Sequence, residues 1–190
     1  MTKKILKTIS LFLLITNTHT LFSESQSSLE IRSAAFFPSS KLFREIYGNV
    51  GVCYQLEGST RLCKCIDGWA NFDWFNRHGE SYKLEDPTKV RIANTSIGVK
   101  FLCRSYKQLT PYVGIGPNLS KIWLQNKSEY FQESLSKWTI GCVFKSGVYL
   151  CINKSTYLNL FVDYLLQPVH FNTNVNIGGF NLGAGLGMKF

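Results

Sequence analysis

Cys53, Cys63, Cys65, Cys103, Cys142 and Cys151 are the most reactive groups in this 190-residue sequence, and an even number of thiols suits disulfide formation in an exported chain. Cys63, Cys65, Cys103 and Cys151 are the candidate disulfide formers, paired within the chain or joining it to partners. Their spacing leaves the connectivity open. Cys53 and Cys142 are expected to stay free. Cys63 and Cys65 form half of a metal-binding pattern, but no second Cys-x-Cys or matching His pair accompanies them, so neither a metal nor a cofactor is expected. Hydrolytic chemistry has little to work with. Beyond His19 the chain holds only His78 and His170, and the neighbours Glu80, Ser81 and Asp86 make a combination that any loop-rich chain offers by chance. The expectation is a protein that is not an enzyme.

The N-terminus reads as a targeting segment. Lys3, Lys4 and Lys7 precede a short apolar run from Ile9 to Ile15, and small polar residues follow. A signal peptide over residues 1–23, cut between 20 and 26, leaves a single domain over 27–190. No cysteine sits at that junction, so a lipid anchor is not indicated. The chain carries a formal charge of +9, and removing 1–23 takes away three lysines and no acid, leaving +6. No basic helix or stripe appears, and nucleic acid is not an expected partner.

The remaining charges recur at alternate positions. Glu30 and Arg32, Glu57 and Arg61, Asp73, Lys100, Lys145, Asp163 and Lys189 each lie on one face of a period-two segment, and bulky apolar residues fill the other. Leu29, Ile31 and Phe37 oppose Glu30 and Arg32; Val52, Tyr54 and Leu56 oppose Gln55 and Glu57; Phe72 and Trp74 oppose Asp73. Such alternation marks half-buried strands. Eight segments show it, at 29–37, 50–62, 68–76, 89–102, 109–119, 137–148, 157–166 and 178–190. An even number of antiparallel strands closes into a barrel, and eight leave an interior that side chains fill. Opposite charges paired inside, with the crowded apolar face toward lipid, satisfy that geometry. The inverted arrangement, a soluble barrel with its apolar face inward, shows the same period.

The connections alternate in length. Turns near 63–67, 104–108 and 149–156 are short, while loops at 38–48, 77–88, 120–136 and 166–177 are longer, as in barrels with short periplasmic turns. Cys63, Cys65, Cys103 and Cys151 then share the periplasmic rim, Cys53 points inward and Cys142 toward lipid. In loop 38–48, Leu42, Phe43, Ile46 and Tyr47 are spaced as one face of a short helix ending at Gly48. That face could fold over the barrel mouth or serve as a surface contact, and Trp123, Tyr130 and Phe131 in loop 120–136 are the other candidate contact residues.

The ending Gly185-Leu-Gly-Met-Lys-Phe190, the segment Tyr157–Tyr164 and the stretch Pro111–Gly116 resemble the small eight-stranded outer-membrane barrels, the OmpA-, OmpX- and OmpW-like superfamily. The resemblance covers essentially the whole chain after the leader. It implies an all-β, eight-stranded, antiparallel, up-and-down transmembrane barrel in the bacterial outer membrane. It also implies that Gly185, Met188 and Phe190 form the signal read by the barrel-assembly machinery, although Gly183 stands where a polar residue is usual. The expected function is structural or surface-interacting, with outer-membrane lipid and lipopolysaccharide as surroundings and disulfide-linked envelope proteins or a host surface as partners. A narrow passive pore and a secreted soluble ligand-binding barrel are the alternatives.

Overall fold

The computed structural model describes residues 26–80, 87–103, 108–127, 132–170 and 174–190. Eight long strands form one closed antiparallel barrel: β1 Ser27–Pro38, β2 Gly51–Cys63, β3 Ile66–Glu80, β4 Pro87–Leu102, β5 Leu109–Lys127, β6 Gln132–Cys151, β7 Thr156–Leu166 and, after a small hairpin, β10 Gly179–Lys189. The hairpin, β8 Pro168–His170 with β9 Asn174–Asn176, lies between β7 and β10, and one helix, α1 Lys41–Tyr47, lies between β1 and β2. Consecutive barrel strands are neighbours, and β10 returns to β1. The start of β1 and the residue after β10 lock this seam, with Ser27 N–H donating to Phe190 O at 3.0 Å and Phe190 N–H donating to Ser27 O at 2.9 Å.

The register sets the barrel's shape. Stepping across paired partners from Phe37 leads through Phe180, Tyr164, Phe144, Ile115, Val99, Gly68 and Thr60 back to β1 at Ser27, ten residues lower. With eight strands and ordinary strand spacings, that stagger corresponds to a tilt of about 40°. The same stagger puts residues such as Phe37, Phe180, Leu166, Ile140, Ala93 and Trp74 near one level.

Which face is inside is now decided. Ile140 is 73% exposed and Ile31 71%, whereas Arg32 is 1% exposed and Lys100 fully buried. Outward Leu, Ile, Val, Phe and Trp side chains of this density would be costly in water, at about 25 cal/mol per Å² of apolar surface, and cost nothing against acyl chains. A closed barrel also leaves no unpaired strand edge in that medium. The fold is a transmembrane barrel, and the inverted soluble arrangement is overturned.

Several expected loops are strand instead. β3 runs on to Glu80 and β4 begins at Pro87, so residues 77–80 and 87–88 of the expected loop are strand. β5 and β6 likewise extend to Lys127 and from Gln132, because alternation persists as Lys121 and Trp123 outward against Ile122 and Leu124 inward. The segment 38–48 does contain its helix. Ser40 Oγ accepts from Phe43 N–H at 3.3 Å, and Gly48, at φ +89°, ends the helix with its N–H on Arg44 O at 2.9 Å. At the opposite end, Asn153 Oδ1 accepts from the backbone N–H of Ser155 and Thr156, tightening the turn between β6 and β7.

Candidate functional site: an ionic plug below an apolar mouth

Midway along the lumen, three cations and three carboxylates from five strands close the passage. Glu57 on β2 is the hub. It accepts from Arg32 Nη1 at 2.7 Å, from Lys145 Nζ at 2.8 Å and from Lys100 Nζ. Asp163 on β7 takes Arg32 Nη2 at 2.9 Å and lies 3.4 Å from Lys145 Nζ. Glu30 sits 3.4 Å from Arg32 Nε and accepts from Asn159 Nδ2 at 2.7 Å and Tyr157 Oη at 3.3 Å. Aromatic rings flank the cations, with Phe161 3.5 Å beneath the Arg32 guanidinium and Trp69 4.5 Å from Lys145 Nζ. Tyr149 Oη accepts from Lys100 Nζ at 2.9 Å, and its ring stacks on Tyr112 at 4.6 Å.

Room for this network comes from the small residues of β10. A Cβ on Gly185 would strike the Glu30 carboxylate and come within 2.8 Å of Arg32 Cγ; one on Gly187 would strike the Tyr157 ring. Gly185 therefore carries a packing duty beside the assembly role that the family resemblance implies.

The expected charge network is largely present, with three exceptions. Arg61 stands at the rim where β10 ends, on Gln26 Oε1 at 2.6 Å, where the strand register shifts between Arg61 and Cys63. Lys189 is also a rim residue, 3.6 Å from Cys151 Sγ and 5.5 Å from the Tyr157 ring centre. Asp73 is buried in the lumen but accepts an amide hydrogen bond from Asn71 and joins none of the ion pairs among the described residues. It belongs to a neutral polar layer in which Ser120 Oγ donates to Asn94 Oδ1 at 2.6 Å and Gln167 Nε2 donates to the same atom at 3.3 Å.

Toward the outer end the lumen turns apolar. Phe36, Cys53, Phe75, Val90, Ile92, Ile122, Val169 and Ile177 point inward, and α1 lies across them. Phe43 and Tyr47 are buried there and Ile46 is half-buried against the same cluster, while Leu42 is exposed. The expectation that this helix face is a surface contact is corrected for Phe43 and Tyr47, because the open end of an apolar lumen attracts the apolar side of the helix. Tyr47 Oη hydrogen-bonds Thr88 at 3.1 Å, and burial pushes its phenol above the usual range, partly offset by that bond. Beside α1 an open cavity of about 750 Å³ is lined by Phe43, Ile46, Val90, Ile122, Leu124 and Val175. Inward apolar residues at strand tops were legible as a change of parity, with Phe36, Phe75 and Ile92 apolar where lower residues on the same face are polar.

Cys53, Cys63, Cys65, Cys142 and Cys151 carry free thiols. Cys53 is buried in the apolar mouth and Cys142 is half-buried on the outward face. Cys63, Cys65 and Cys103 are exposed and Cys151 is half-buried, toward the rim where β10 ends. Trp123 lies on the outward wall of β5, 6.1 Å from Trp74, not in a loop. His78 is exposed on β3. The leader, Ser81, Asp86, Tyr130 and Phe131 lie outside the described residues.

No protein-family model matches the chain, and no curated protein matches it in sequence. Solved structures share the fold. Neisserial surface protein A superposes with a TM-score of 0.66 at 16% identity, over 88% of this chain and 100% of that one. Ail, the attachment invasion locus protein of Yersinia pestis, in complex with the heparin analogue sucrose octasulfate, gives 0.61 at 14% identity, again over 88% and 100%. The N-terminal β-barrel domain of Pseudomonas aeruginosa OprF gives 0.57 at 14% over the same shares. At such identities the likeness concerns architecture.

Proposed function

We propose that this chain is a non-enzymatic barrel of the bacterial outer membrane, closed to ions, that serves a structural or surface-interacting role. The ionic plug carries this reading. Its six charged groups are buried and paired with one another across the lumen, which supports a barrel through which an ion would pass only by displacing paired side chains. The resemblance to a surface protein and to an attachment protein supports the location and the kind of role. Protein folded into planar bilayers is expected to give no discrete conductance steps; regular openings from well-folded barrel would establish the pore instead. The cavity beside α1 favours a second reading, retention of an apolar solute at the mouth, since it is open and lined largely by apolar side chains.

In this reading the leader is cut between 20 and 26, and Gly185, Met188 and Phe190 present the last strand to the barrel-assembly machinery. Lipid and lipopolysaccharide surround the wall. Cys63, Cys65, Cys103 and Cys151, on the side open to an oxidising periplasm, link the barrel to envelope proteins by disulfide exchange. Non-reducing gels of intact envelopes, quenched with alkylating agent, are expected to show reductant-sensitive species above the monomer. Monomer alone would remove the cross-linking role and leave the closed barrel standing.

A further inference from the structure

Near the outer end, the outward faces of β3 to β6 interleave three tryptophans with three permanent cations. Lys121 is held between two rings, its ammonium 5.1 Å from the Trp123 centre and 5.0 Å from that of Trp138. Across the strands Lys121 pairs with Trp138 and Ala93, Arg91 with Trp123 and Asn76, and Lys89 with Gln125 and His78. Arg91 and Lys121 are thus diagonal neighbours, about 7–8 Å apart at the backbone, and two such long side chains can meet on one anion. Among the described residues none of Lys89, Arg91 and Lys121 has a carboxylate partner. Glu80, opposite Pro87 at the tip of the hairpin, is the acid that flanks the patch.

The stagger of the barrel puts these residues at and just above the level of Phe37. On the opposite wall that level holds Phe37, Phe180, Leu166 and Val50, all exposed and uncharged. Tryptophans of this kind mark the membrane interface. Snorkelling accounts for a single lysine at such a height. It does not account for three cations gathered on one wall with no counter-charge among the described residues, since they repel one another unless an anion sits among them.

We infer that this wall binds the phosphate groups of an outer-leaflet lipid. Arg91 and Lys121 converge on one phosphate, Lys89 supports it from above, Trp123 and Trp138 flank the two cations at their own level, and Trp74 packs against the lipid below. Arg91 supplies the forked donor pair that suits a phosphate, and the two rings fix the direction of Lys121. The inference rests on the outer-membrane placement proposed above, but its test does not, because it uses purified barrel in defined lipid.

Barrel reconstituted in phosphatidylcholine nanodiscs containing either diphosphoryl lipid A or its dephosphorylated form is examined by native mass spectrometry. Preferential retention of the diphosphoryl form is expected, on the order of tenfold, the size of one charge-assisted contact. Arg91→Gln with Lys121→Gln abolishes the preference, and Lys154→Gln in a periplasmic turn leaves it intact. Heat-modifiable gel mobility checks that each variant is folded, and if the double variant is not, Arg91→Gln and Lys89→Gln singly carry the same comparison. Equal retention of the two lipids, or an undiminished preference in the folded variants, overturns the inference. So does displacement by inorganic phosphate at equal concentration, which would mark a small-anion site. Failure here leaves the location untouched; that is decided separately by membrane fractionation of cells.

Discussion

Glu57→Gln is expected to lower the stability of the folded barrel by about 3–5 kcal/mol, the cost of breaking a buried ion network from one side. Three cations converge on this carboxylate, and the amide removes its charge while keeping its size. Arg32 and Lys145 retain Asp163, but the acceptors left close to Lys100, the new amide oxygen and the Tyr149 hydroxyl, carry no charge. A buried ammonium without a counter-charge is the main source of the loss. Adding Lys100→Met to Glu57→Gln should therefore recover part of it, since the unpaired charge is then replaced by an apolar chain of similar length. Urea midpoints of refolded protein, followed by heat-modifiable mobility, measure both. A Glu57→Gln barrel as stable as the parent, or a double variant weaker than the sum of the singles, would show that the network adds nothing to stability.

Gly185→Val is the second large effect, and it acts through volume. The added side chain enters space held by the Glu30 carboxylate and the stem of Arg32, at the seam where β10 meets β1. Overpacking of this kind costs about 1–3 kcal/mol, and displacing Glu30 from Asn159 and Tyr157 adds the loss of its hydrogen bonds. Expected results are a smaller heat-modifiable fraction on refolding and accumulation of unfolded protein in cells. Gly58→Val is the matched control, because a Cβ there meets nothing within 4 Å. If both valines behave alike, the effect belongs to β-propensity or to the assembly signal and not to the plug. If Gly185→Val alone fails in purified refolding, where no assembly machinery is present, the packing duty of Gly185 stands by itself.

Much of the architecture is legible along the chain. Period-two alternation locates all eight strands, because each strand must offer one face to lipid and the other to a narrow lumen. The helix at Lys41–Tyr47 is legible too, from a serine cap, two pairs of apolar residues and a terminating glycine. Strand ends are not. Lys121 and Trp123 read as loop residues because charge and aromatic character alternate there as they do in exposed hairpins. Their strand state depends on pairing with a neighbour that is distant in sequence.

The charge network was partly legible for the same reason. Glu30, Arg32, Glu57, Lys100, Lys145 and Asp163 share the inward parity, and parity survives any register. Height in the barrel does not follow from parity, which is why Arg61 and Lys189 looked like partners and stand instead at the rim. The sequence by itself determined the strand count, the alternation of faces and the set of groups available to fill the lumen. Only the tertiary structure decided which face is inside and which charges meet, since both depend on the ten-residue stagger that closes β10 on β1. It also decided that the mouth is apolar and covered by α1, and that Lys89, Arg91 and Lys121 gather beside three tryptophans on one wall. Those arrangements join residues from separate strands, and closure of the barrel is the physical event that makes them neighbours.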